Sequence, residues 1–233
     1  MESTTINIMA LKELVAGRGR IIRQKQFVPF ETAMEAFETL GGLIVPGFVI
    51  DDHNRFAYQN LVRWLIDDTD ALCNTPEGGT APADLGKGIY LQGGTGTGKS
   101  VALDICKILC TFFGLKVRTE ANGTPISLAW RSRRADDISE AYAREGDISP
   151  WKNEPLLCIQ ELGSEPGETI YMGNRRRVIG SIIEARGDMY NCITLVSSNI
   201  RINKVAELYG PRVYSRLIQM CNIITLNGPD RRK

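Results

Sequence analysis

The sequence predicts an α/β fold, a parallel sheet covered by helices and entered through a phosphate-binding loop. Two observations carry this. From residue 89 onward, short apolar runs alternate with helical stretches, the pattern of strands laid parallel through helical crossovers. A glycine-rich loop of P-loop spacing also lies between the first such run and the first such helix.

The apolar runs fall at 89–92, 115–119, 155–160, 192–198 and 223–226. Helical stretches are expected near 99–113, 134–145, 174–187 and 204–221. Asn122-Gly123 has the composition of a tight hairpin turn, so 126–130 is expected to pair back on the strand before it. Ahead of this core, Ala33, Ala36, Phe37 and Leu40 recur at helical spacing, and Gly41-Gly42 is expected to end their helix. A short extended piece follows at 48–50. Asp51 or Asp52 can then cap a helix near 54–68, which gathers Ala57, Leu61, Trp64 and Leu65 on one face. Residues 74–88 are rich in glycine and proline and read as a loop. They divide an N-terminal region, 1–80, from a core, 86–233.

With 233 residues and 43% apolar side chains, the chain can bury one sizeable core. The net charge of +1 announces no partner, but its distribution is uneven. Residues 1–80 carry 7 Lys/Arg against 11 Asp/Glu, and the rest carry 21 against 16. An acidic arm on a mildly basic body places any nucleic-acid contact on the body. No apolar run approaches the ~20 residues needed to cross a bilayer, and the N-terminus lacks a signal-peptide layout. Six scattered cysteines read as reduced core thiols and the compartment as cytoplasm. His53 reads as a surface residue near a helix start.

The chemistry concentrates in a few segments. Gly93-Gly94-Thr95-Gly96-Thr97-Gly98-Lys99-Ser100 satisfies G-x-x-x-x-G-K-[ST] in full. Its glycines let backbone N–H groups wrap phosphates, and the helix that follows adds positive potential. Lys99 is expected on the outer phosphates of ATP, and the Ser100 hydroxyl on Mg²⁺. The strand 155–163 ends in Gln160-Glu161. Gln160 stands where a metal-holding Asp is usual, and Glu161 where a carboxylate orients attacking water. Alternation along a strand would turn these two side chains to opposite faces, unless the strand end is bulged. Hydrolysis is therefore expected to be slow. Ser197-Ser198-Asn199 closes the fourth strand, where Asn199 can help to position the water. Arg212 and Arg216, late in the chain, suit a finger that reaches a neighbouring subunit's nucleotide. Trp130, Arg131, Arg133 and Arg134 combine an aromatic with three cations, and Arg175-Arg176-Arg177 begins a predicted helix. Both clusters suit stacked bases and phosphates.

The guanine-reading N-K-x-D motif is absent, since Asn203-Lys204-Val205-Ala206 breaks at its last position, and so is the transporter signature Leu-Ser-Gly-Gly-Gln. What stands here in order is Gly-Ile-Tyr-Leu before the P-loop, Leu-Leu-Cys-Ile-Gln-Glu-Leu-Gly-Ser-Glu-Pro and Tyr171-Met172-Gly173-Asn174. The Ser-Ser-Asn and Tyr-Gly-x-Arg-Val-Tyr-Ser-Arg-Leu segments complete the series. Over residues 86–232 this resembles the DnaC/IstB-like branch of AAA+ ATPases, the helicase-loader family. The resemblance implies an AAA+ core with a five-stranded parallel sheet between helices, a small, mostly helical N-terminal region and no C-terminal lid. It implies assembly into rings or spirals through Arg216 as a trans-acting finger, with Arg232 as a late arginine that senses the γ-phosphate. It further implies single-stranded DNA and a replicative hexameric helicase as partners. A transposition ATPase of the same branch, or a nucleotide-gated binding module with little turnover, are the alternatives. Gln160 departs from the family pattern, and 1–80 matches no helicase-binding motif.

Overall fold

The computed structural model describes residues 21–119 and 123–231. Strand β1 (Ile22–Arg23) leads to helices α1 (Phe30–Ile44) and α2 (Arg55–Leu65), then to β2 (Leu72–Asn74) and β3 (Thr80–Pro82). Next come β4 (Gly88–Gln92), α3 (Lys99–Phe112), β5 (Lys116–Arg118), β6 (Ile126–Ser127) and β7 (Arg131–Arg134). They are followed by α4 (Ala135–Glu145), the single turn α5 (Ser149–Lys152), β8 (Leu156–Leu162), β9 (Thr169–Tyr171) and β10 (Asn174–Arg176). The last elements are α6 (Val178–Gly187), β11 (Ile193–Ser198), α7 (Ile202–Tyr209), α8 (Pro211–Met220) and β12 (Cys221–Thr225).

Strands β4 and β11 are buried along their whole length, as strands covered on both faces must be. Their side chains divide with a period of two. Ile89, Leu91, Leu195 and Ile224 join Phe37 of α1, Leu61 of α2 and Leu103 of α3 in one apolar cluster. Tyr90, Val196 and Ile223 face the other way and join Ile138 of α4, Ile182 of α6, Val205 of α7 and Leu217 of α8. The sheet thus lies between two helical layers. Its order is β3-β2-β12-β4-β11-β8-β7. From β12 to β7 every neighbouring pair is parallel, while β2 and β3 add an antiparallel hairpin on the β12 edge. Among the described residues the sheet therefore has seven strands rather than the expected five.

Several expectations change in detail. The run at 115–119 does not enter the main sheet; β5 forms a side sheet with β1 and β6. The fifth parallel strand is β7, whose Arg-Ser-Arg-Arg has no apolar residue. It lies at an edge, where charged side chains protect against unwanted strand pairing. β6 pairs back on β5, Lys116 with Ser127 and Val117 with Ile126, as the Asn-Gly signal predicts, although Asn122 itself lies outside the described residues. The loop expected at 74–88 supplies β3. Arg175 and Arg176 do not begin a helix; β10 pairs with β9 across a Met172-Gly173 turn, both residues at positive φ. The helix expected at 204–221 breaks in two where Pro211 opens α8. Gly41-Gly42 does not stop α1, because Gly41 is there to admit the Phe48 ring: a Cβ would overlap it.

One buried cation organises the far side of the sheet. Arg186 is fully buried and faces oxygen acceptors rather than a carboxylate. Nε donates to Thr194 Oγ1 at 2.8 Å, Nη2 to the Ile193 carbonyl at 2.8 Å and Nη1 to the carbonyls of Trp151 at 3.1 Å and Glu154 at 2.5 Å. Burial lowers its pKa, yet a guanidinium remains protonated. Arg186→Met leaves these acceptors dry and unpaired, so it is expected to destabilise the protein by about 3–5 kcal/mol. Urea unfolding measures this; a midpoint equal to the parent's would refute the argument.

Candidate nucleotide site

The P-loop leaves β4 with its backbone already fastened: Gly93 N donates to the Ser198 carbonyl at 3.2 Å. Gly96 and Gly98 have φ of +74° and +94°, a region that side chains with a Cβ avoid. Gly98 directly precedes α3, so the unpaired N–H groups of that helix open into the loop. Thr97 Oγ1 donates to the Gly94 carbonyl at 2.9 Å and clasps the turn. Lys99, the first residue of α3, is buried. Its Nζ reaches the carbonyls of Gly93 at 2.8 Å and Gly94 at 2.7 Å, and Asn199 Oδ1 at 2.6 Å. The ammonium therefore stands inside the loop beside the residue expected to position water.

The end of β8 decides which acidic-strand residue faces the loop. The β8–β11 register runs from Ile193↔Leu156 to Val196↔Ile159 and resumes at Ser198↔Leu162. Gln160 and Glu161 thus share one partner position, that of Ser197, which defines a β-bulge. Glu161 takes a positive φ of 56°, and its N–H is held by Ser197 Oγ at 3.1 Å. The bulge cancels the expected alternation, and Glu161 lines the cavity whereas Gln160 does not. Gln160 instead stands opposite Arg134 in the β7–β8 register, so the metal place assigned to it from sequence is not supported by its position. Ser198 Oγ completes the junction, donating to the Leu162 carbonyl at 2.7 Å and accepting from Ile200 N at 2.9 Å. The three residues Ser197-Ser198-Asn199 thereby divide the work: Ser197 holds the bulge, Ser198 the junction and Asn199 the lysine.

A cavity of about 750 Å³ opens over the P-loop, large enough for a nucleotide. Thr95, Gly96, Gly98, Lys99 and Ser100 line one side with Glu161 and Asn199, and Val45 to Val49 with Tyr58 line another. Tyr58 stacks on Phe48, with ring centroids 5.7 Å apart, and burial pushes its phenol up to about 12. The loop wall is tied to α2 through Asn54 Nδ2, which donates to the Val49 carbonyl at 2.9 Å. Asn54, rather than Asp51 or Asp52, stands at the cap position of that helix. Asp51 Oδ1 instead holds the turn ahead of it, accepting from the backbone N of His53 and Asn54. The lining thus includes both an apolar stretch suited to a base and N–H groups with a cation suited to phosphates. Of the residues named from sequence, Ser100 and Glu161 bring a hydroxyl and a carboxylate into the cavity that can hold a divalent cation. Among the described residues, no group of three or more His, Cys, Asp or Glu stands close enough to bind a metal by itself.

The remaining sequence-predicted residues lie elsewhere. Trp130 is 1% exposed and packs against Trp64, ring centroids 6.4 Å apart; it belongs to the core and cannot stack a base. Arg131 lies over the Trp151 ring and 3.5 Å from Glu154. Arg133 is exposed and donates to its neighbour's carbonyl, Ser132. Arg134 pairs with Asp136 and, at 2.9 Å, with Glu161 itself, so this arginine belongs to the candidate site. Arg216 does not line the cavity; it contacts Asp188 and donates to Gln219 Oε1 at 2.7 Å. Arg212 lies 3.4 Å from Glu184. Arg232 lies outside the described residues. Sequence reasoning missed the 45–49 wall, Tyr58 and the segment 229–231, which carry no motif; apolar spacing alone assigned α2 to packing.

No protein-family model matches the chain, and no curated protein matches it. Among solved structures it is similar to the DnaC helicase loader, at 20% identity and a TM-score of 0.42, over 60% of this chain and 78% of that one. It is also similar to AMPPCP-bound DnaA from Aquifex aeolicus, at 18% identity and a TM-score of 0.47, over 77% of this chain. It covers 48% of the DnaA chain, about half its length. The α/β fold with its mostly parallel central sheet rests on the strand order and pairing of this chain itself.

Proposed function

We propose that the protein is an ATP-binding, slowly hydrolysing replication adaptor of the DnaC-like type, which loads a hexameric helicase onto single-stranded DNA. The observation that carries the nucleotide reading is the convergence of Lys99, Ser100, Glu161 and Asn199 on one cavity. Lys99 and the loop N–H groups hold the outer phosphates, and Ser100 with Glu161 supplies oxygen to the cation. A bound Mg²⁺ neutralises phosphate charge. Glu161 then orients and deprotonates the attacking water, with Asn199 beside it. The Arg134–Glu161 ion pair, at 2.9 Å, holds that carboxylate and must loosen before it can turn to a water, which supports slow turnover and favours the nucleotide-gated module as a second reading. In this proposal the ATPase core takes in the chain from residue 45 onward, since residues 45–49 and Tyr58 line the cavity and β2 and β3 extend the main sheet. The partner-binding role expected of 1–80 falls to exposed residues of α1 such as Leu43. DNA contacts move from Trp130 to exposed cations such as Arg133 and Arg175. Steady-state ATPase with and without single-stranded DNA, joined to helicase and transposase pulldowns, tests the reading. Turnover unmoved by DNA and capture of a transposase alone would overturn it.

Assembly is the part that depends on Arg216. Its side chain is 28% exposed, and its contacts are Asp188, just past α6, and Gln219 on α8, neither of them lining the cavity. A guanidinium so placed can serve a phosphate bound by a neighbour. Arg216→Ala is expected to keep ATP binding and to lose about a hundredfold or more of DNA-stimulated turnover. Mixing it with Lys99→Ala restores part of the activity, since one junction then has an intact loop and an intact finger. Turnover of Arg216→Ala equal to the parent's in assembled particles would reduce it to a surface residue.

A further inference from the structure

The segment after β12 returns to the P-loop and spans from Gly96 to Asp51 along the cavity. At Gly228 the backbone takes a φ of +134°, and Pro229, Asp230 and Arg231 then line the cavity together with the P-loop and residues 45–49. Three contacts hold the segment there. Arg231 N donates to the Gly96 carbonyl at 3.0 Å. The Asp230 carboxylate lies on Gly96 so closely that a Cβ at that glycine would overlap it. The Arg231 guanidinium pairs with Asp51 Oδ2 at 2.5 Å, at the start of α2 and beyond the cavity. The pair is partly sheltered, with side chains 24% and 34% exposed, and the arginine holds the Asp51 carboxyl below its usual range.

The shut position is not fully satisfied. Arg231 Nε is buried without an acceptor, which native structures avoid. A carboxylate on the loop that wraps phosphate also repels a phosphate.

We propose that residues 228–231 form a strap over the nucleotide cavity, fastened by Arg231 to Asp51, which a nucleoside triphosphate must displace and which sets its rates of entry and exit. The inference rests on the nucleotide reading above. In this position the Asp230 side chain occupies the space over Gly96 of the phosphate loop. Arriving phosphates push that carboxylate outward, and the backbone bond from Arg231 to Gly96 breaks with it.

Stopped-flow fluorescence with a mant-labelled ATP tests this on the full chain. Asp230→Asn removes the repulsion and is expected to tighten binding about tenfold. Arg231→Ala and Asp51→Asn each unfasten the strap, so association and dissociation should both quicken, by about threefold or more. Asp51→Asn keeps a side-chain acceptor at the helix start, and melting curves check that both variants fold. Quickened rates in both variants with tighter binding in Asp230→Asn establish the strap. Parent-like rates and affinity in all three, with the parent itself binding, overturn the strap and leave the nucleotide site standing. No binding by the parent or by any variant overturns both.

Discussion

Lys99→Ala is expected to lower ATP affinity by about a hundredfold or more. The ammonium is already positioned, on the carbonyls of Gly93 and Gly94 and on Asn199, so little side-chain entropy is lost when it turns to phosphate. A hydrogen bond to a charged group contributes about 1.5–3 kcal/mol. Two such bonds to the outer phosphates amount to about 3 kcal/mol or more, hence two orders of magnitude in affinity. The substitution also leaves three acceptors around a buried position without their donor. A melting curve therefore accompanies the titration, and Lys99→Met repeats it with the volume kept. Isothermal titration with ATP reads the affinity. Parent-like binding by two folded variants would remove the loop from the site.

Glu161→Gln is expected to cut turnover about a hundredfold or more while ATP affinity stays within about threefold. Gln160→Asp, the change that strand alternation alone would recommend, is expected to leave turnover within about twofold, because the bulge turns Glu161 and not Gln160 into the cavity. Arg134→Gln should raise turnover about two- to fivefold, since it frees the Glu161 carboxylate from a partly exposed ion pair that competes with the water. Single-turnover hydrolysis separates the three. A strong gain from Gln160→Asp with no loss from Glu161→Gln would show that the bulge is not the working conformation.

Much of the fold was legible because it depends on local patterns. The runs at 89–92, 155–160, 192–198 and 223–226 became β4, β8, β11 and β12, since a strand buried on both faces has to be apolar throughout. β7 was not legible. An edge strand needs few apolar residues, and Arg-Ser-Arg-Arg reads as a basic cluster instead. The same cluster suggests a DNA surface that packing does not supply, because exposure is a property of the folded chain. Trp130 follows its neighbours in sequence but the core in space, against Trp64 on α2.

The candidate site divides along the same line. The sequence by itself determined the phosphate end, for wrapping an anion in backbone N–H groups requires glycines at fixed spacing with a lysine and a hydroxyl beside them, and few other patterns meet that requirement. It also named Asn199, just past β11 beside β4, and Glu161, on β8 one strand further along the sheet. Only the tertiary structure decided which of Gln160 and Glu161 faces the loop. That choice depends on one unpaired residue in a ladder and on the Ser197 hydroxyl that holds it, 36 positions further along the chain. The apolar wall at 45–49, the Arg134 pair and the Arg231–Asp51 closure were likewise decided by packing. Their residues are ordinary in type, and they acquire a role only from neighbours that are remote in sequence, as Arg231 does from Asp51 across 180 positions.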